Sequence, residues 1–144
     1  MTLQVVDAIA FVTQHPQMFF SEGKVDALRL VSCVMFDVLE LGKGECRIVH
    51  RDDWWFVTSD IDWLAHDLPV AELFQRIVPA PQHGVNAMRA EVLVRAFAAD
   101  VFVASGEHAG VLAGEAPAEA LVRSALDSGW ARGMVAFRLD RGGP

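Results

Sequence analysis

Carboxylates, histidines and one serine turn are the groups in this 144-residue chain whose types and spacing could do chemistry. His50, Asp52 and Asp53, and separately His66-Asp67, are metal-ligating types. Neither group has the i, i+4 histidine pair or the Cys/His spacing of known metal sites. A solvated hairpin tip and a helix cap account for them better. Ser105-Gly106-Glu107-His108 sets a serine near a histidine but lacks a nucleophile-elbow pattern, so it reads as a polar turn. Trp54-Trp55 with Trp63 would make a stacking platform. Successive strand residues face opposite sides, so one of the pair is core and Trp55 is the outward one. Asp26, Arg29, Asp37 and Glu40 recur at helical spacing with Cys33 between them. Such a stripe is the wet face of a helix.

The elements that must position these groups follow from periodicity. Thr2 is a good N-cap for a first helix that ends near His15-Pro16. Met18-Phe19-Phe20 is an apolar connector. Lys24 to Leu41 is the longest helix, apolar nearly all round and therefore expected to be central and buried, with Gly42-Lys43-Gly44 ending it. Glu45–His50 and Trp54–Thr58 read as a hairpin around Arg51-Asp52-Asp53. Asp67 caps a short helix running through Ile77, and Pro79-Ala80-Pro81 closes it. Gly84 and the N-cap Asn86 introduce a helix carrying Ala87, Ala90, Val94 and Phe97 at helical spacing. Val101–Ala104 is a buried strand, Val111–Ala113 a short one, Pro117 to about Leu126 a helix, and Met134–Leu139 a last strand. The order α, long α, β-hairpin, α, α, β, β, α, β has no regular βαβ repeat. It predicts an α+β two-layer sandwich, with helices on one face of a largely antiparallel mixed sheet.

Composition narrows the function. The length suits one domain over 1–144, with 1–22 as N-terminal helix and connector and 141–144 as a frayed tail. The chain is 53% hydrophobic, yet no run approaches the roughly 20 apolar residues that span a bilayer, and no signal segment opens it. A cytoplasmic protein is expected, with a large core or apolar surface buried on a partner. A net charge of −7 with only two lysines, Lys24 and Lys43, disfavours nucleic acid. Cys33 and Cys46 form no disulfide framework or zinc pattern and are expected as reduced thiols.

Four segments stand in a suggestive order. His15-Pro16-Gln17-Met18-Phe19-Phe20 precedes the long helix. A hairpin and Asp60 follow that helix. His83-Gly84-Val85 precedes a helix and strand, and Gly133-Met134-Val135-Ala136-Phe137 closes the chain. Together they resemble the GHKL (histidine kinase-like) ATPase fold, as in the gyrase B-type ATPase domain, where the corresponding segments read Arg-Pro-Gly-Met-Tyr-Ile, His-Gly-Val-Gly and Gly-Thr-x-Val-x-Phe. The resemblance covers nearly the whole chain.

The family's chemistry does not carry over. It needs a glutamate base on the long helix and, four residues on, a magnesium-binding asparagine. This chain has a single asparagine, Asn86, in another segment. Aligned on Phe36-Asp37-Val38-Leu39-Glu40, Asp37 takes the base position and Leu41 the metal position; a shifted register gives Ser32 and Phe36. Leucine cannot ligate a hard cation. The family's adenine-reading Asp-x-Gly-x-Gly is here Asp60-Ile61-Asp62-Trp63-Leu64, with Asp60 in the reading position and Asp62 and Leu64 replacing both glycines. Of the glycines of the phosphate lid, Gly84 alone remains, and the Leu64–His83 connection is short for such a lid. What the resemblance implies is a remnant pocket around Asp37, Asp60, Asp62, His83, Gly84 and Val85. It implies no catalytic residue, no metal, no ATP hydrolysis and no required cofactor. The expectation is a non-catalytic GHKL-like domain that binds a protein partner or forms a homodimer. The alternative is a nucleotide or small-ligand binding domain using the pocket near Asp60 and His83-Gly84.

Overall fold

Local chemistry at the chain's turns sets the architecture. The computed structural model describes residues 7–78, 88–106 and 108–140. Thr2, Pro79-Ala80-Pro81, Asn86 and the tail 141–144 lie outside them. Asp7 caps α1 (Ala8–Gln14), its carboxylate accepting from the N–H groups of Ile9 and Ala10 at 3.0 and 3.2 Å. Asp26 caps α2 (Ala27–Asp37) in the same way, accepting from Leu28 N–H at 3.0 Å. That cap starts the helix three residues later than the expected Lys24. A wider turn, Val38–Gly42, continues α2. Lys43, not a glycine, takes the left-handed conformation there (φ 58°), and its N–H bonds the Val38 carbonyl at 3.0 Å.

β1 (Cys46–Arg51) and β2 (Trp54–Ser59) pair around Asp52-Asp53, whose φ angles of 52° and 67° are both positive. Two left-handed residues in a two-residue loop match the twist of the flanking strands, and aspartate tolerates that conformation. α3 (Val70–Leu73) is shorter than the expected helix: Pro69 stands at its N-cap with no side-chain cap, and the helix gives way at Phe74. α4 (Glu91–Phe97) starts after Ala90, so Met88 to Ala90 precede the helix; Ala87 lies outside the described residues. β3 (Asp100–Ser105), β4 (His108–Ala113), α5 (Glu119–Leu126) and β5 (Gly133–Arg138) complete the chain. β4 has six residues, not three, because Ser105 pairs directly with His108 across the hairpin.

The sheet order is β1-β2-β5-β3-β4, and every pairing is antiparallel. The last strand is therefore the central one, and its residues Gly133 to Phe137 are all buried. Alternation divides its side chains between two cores. Val135 and Phe137 join Val57, Val101 and Val103 in the main core, under α1, α2 and α4. Met134 and Ala136 join Trp54, Phe56 and Ala104 on the other face, where α5 contributes Ala125. The result is an α+β two-layer sandwich with an open five-stranded sheet, and α5 adds cover to the second face.

Asp100, wholly buried, ties the sheet's far end together. It accepts from Arg138 Nε at 2.9 Å and from Glu115 N–H at 2.7 Å. Gly114 (φ 64°) lies where a Cβ would collide with that carboxylate, so only glycine fits the turn. Among the described residues no helix is long and apolar enough to cross a membrane.

Candidate functional site

The longest helix among the described residues, α2, buries one face and leaves the other partly exposed. Leu30, Val31, Val34 and Val38, at helical spacing, are 0–4% exposed in the core. Leu28, Phe36 and Leu39 repeat the same spacing on the outer side and are 59%, 48% and 46% exposed. The expectation of burial all round thus holds for one face alone. Beside this outer face lies a groove of about 450 Å³, between α2 and the segment entering α4. Arg29, Cys33, Phe36 and Asp37 line one wall, Met88 and Leu93 the other.

The polar stripe of α2 is also not uniformly wet. Asp26 is the cap, and Arg29 and Glu40 are exposed, but Asp37 is 2% exposed. Its Oδ2 accepts from Ala90 N–H at 2.7 Å, which fixes the chain just before α4 against α2. Two residues on, Arg89 and Glu91 form a buried pair, with Arg89 Nε donating to Glu91 Oε1 at 2.9 Å. Arg89 Nη2 also donates to the Trp63 carbonyl at 2.9 Å. Glu91 Oε2 is buried with no hydrogen-bond partner among the described residues. Burial foremost pushes the Glu91 carboxyl up to about 7; Arg89 lowers it, and the Asp37 charge raises it further. The Cys33 thiol is likewise raised, chiefly by burial, against the lowering influence of Arg29. It is a poor nucleophile at neutral pH. Arg89 and Glu91 had no sequence signal: an Arg-x-Glu pair ahead of an apolar helix has the spacing of a solvated surface pair.

The other expected site residues are spent on the fold. Asp60 Oδ1 accepts from Glu45 N–H at 2.9 Å, tying the end of β2 to the start of β1. Asp62 accepts from Leu64 N–H at 3.1 Å and from Ser105 Oγ at 2.7 Å. Around them bulky side chains have closed in. Ile61 and the Asp60 carboxylate occupy the space a Cβ on Gly44 would need, and the Trp63 ring lies 2.8 Å from the Cβ position of Gly133. His83, Gly84 and Val85 lie outside the described residues.

The remaining groups have structural roles as well. Ser105 and His108 are a cross-strand pair and, with His66, line a cavity of about 390 Å³. The serine donates to the Asp62 carboxylate rather than to an imidazole, so the Ser–His arrangement is not formed. Trp54 is buried. Trp55 is half-buried and stacks on His50, with ring centroids 3.8 Å apart. Among the described residues no group of three or more His, Cys, Asp or Glu is placed to hold a metal. Compared with family models, curated proteins and solved structures, the chain matches none.

Proposed function

We propose that this chain is a non-catalytic, GHKL-like domain that works by binding another protein chain through the outer face of α2. The reading of the scaffold as GHKL-like rests on the order of its sequence segments. One observation carries the interaction: Leu28, Phe36 and Leu39 stand exposed in a row on a helix whose opposite face is sealed. Aligned apolar side chains rimmed by charge, here Arg29 and Glu40, are what a protein interface uses. No catalysis enters this reading, because Asp37, Asp60 and Asp62 hold backbone and hydroxyl groups in place. A cytoplasmic location belongs to the same reading and is supported by the two free cysteines, Cys33 and Cys46. Size-exclusion chromatography with light scattering tests it. A complex heavier than 15.8 kDa is expected; a lone monomer with no co-purifying chain counts against it.

A second reading has the groove beside α2 in its favour: a small ligand or nucleotide would meet Asp37 and Arg29 there. Calorimetry with ATP and ADP, with and without magnesium, separates the two. Binding that disappears in Arg29→Ala would move the conclusion to this second reading.

A further inference from the structure

We propose that the partner on the outer face of α2 is a second copy of this chain, its α2 laid antiparallel to the first about a two-fold axis. This inference rests on the proposed function and names the partner which that reading leaves open.

The exposed stripe has the spacing of a helix–helix seam. Leu28, Ser32, Met35 and Leu39 follow at steps of four, three and four residues, the alternation that keeps a row facing one partner helix. Leu28, Ser32 and Leu39 are exposed and Met35 is half-buried. The buried row, Leu30, Val31, Val34 and Val38, lies round the other side, so a helix on the seam stays clear of the sheet.

Reversed, the stripe complements itself. A two-fold axis crossing α2 between Cys33 and Val34 sets Leu28 opposite Leu39 of the second copy, and Ser32 opposite its Met35. The small serine leaves room for the long methionine near the centre. Ser32 Oγ already donates to the Leu28 carbonyl at 2.8 Å, so covering it strands no donor.

Charge argues for a second copy as the occupant. Arg29 and Glu40 flank the stripe on the same edge, about three turns apart, as Leu28 and Leu39 are. The wide turn Val38–Gly42 advances less round the axis per residue, which holds Glu40 close to the seam. Among the described residues neither Arg29 nor Glu40 makes an ion pair within its own chain. The same axis brings each Arg29 beside Glu40 of the other copy, forming the pair twice. An unrelated partner would have to supply this pattern in reverse; a second copy carries it already.

Charge exchange tests the pairing by light scattering across concentrations, on recombinant chain with no other protein present. The parent should approach about twice the 15.8 kDa of one chain. Arg29→Glu sets carboxylates against carboxylates, and Glu40→Arg sets guanidinium groups against each other. Each should weaken dimerisation by roughly tenfold while still unfolding in one cooperative transition. Mixed one to one, the two variants regain both opposite-charge pairs and should dimerise as the parent does. A variant as tight as the parent, or a mixture no tighter than its components, overturns the proposal. So does a parent that stays at 15.8 kDa at every concentration. The outer-face reading survives these failures if protein from its own host carries a different chain on α2, and falls with the proposal if it carries none.

Discussion

The two faces of α2 are built from the same kinds of residue and have opposite fates. Leu30 on the inner face is fully buried, and Leu28, two positions away, is 59% exposed. Asp37 reverses the pattern, a carboxylate drawn into the interior where the chain entering α4 needs an acceptor. Apolar character along a helix therefore says that surface is available for burial, not that the chain itself does the burying. The inner face makes the fold. The outer face, with the same chemistry and its apolar side chains about half exposed, is where we place the function.

The sharpest way to break this contrast is at the polar knot beneath α2. Arg89→Met leaves the Glu91 carboxylate buried without its cation. It should cost about 3–5 kcal/mol in denaturant unfolding at pH 8, as breaking a buried pair from one side does. The loss should shrink at pH 5, where Glu91 takes up a proton. In the parent chain Glu91 is raised from 4.5 to about 7 in the folded state. Its contribution to stability is thus fully present below about pH 4.5 and is lost as pH rises toward 7. Glu91→Gln should flatten that window, seen as a parent-minus-variant stability difference that changes between pH 5 and 7 and is level above it.

A next test sets one face against the other. Leu30→Ala should lose about 2–5 kcal/mol, the range for emptying a packed leucine site. Leu28→Ala should stay within about 0.5 kcal/mol as an isolated chain. Equal losses would mean that the faces do not differ as described. Smaller still is Asp60→Ala, which removes the acceptor for Glu45 N–H and should cost about 1 kcal/mol of stability with no change in nucleotide affinity.

Much of the fold was legible before any coordinates. The order of helices and strands, the β1–β2 hairpin and the burial of Val101, Val103 and Ala104 followed from period and punctuation. The start of α2 was misplaced because Asp26 caps it, and α4 starts at Glu91, after an Ala90 that makes no side-chain cap bond. The site was less legible. Periodicity put Asp37 on the wet stripe and made α2 central all round, since a sequence shows which residues share a face but not whether anything covers it. Arg89 and Glu91 were invisible for a related reason. Two charges two residues apart at the start of a helix carry no pattern of burial, and only the packing of Trp63 and Asp37 around them makes their pairing necessary.

The central claim is that the outer face of α2 is made to be covered by another chain. The direct test is the molar mass of the complex, measured by light scattering on protein purified from its own host. The intact outer face should run as a complex above 15.8 kDa, and the triple substitution Leu28→Ser, Phe36→Ser, Leu39→Ser should run at 15.8 kDa while still unfolding in one cooperative transition. A complex that survives all three serines, or an intact chain that runs alone at 15.8 kDa, would contradict the account.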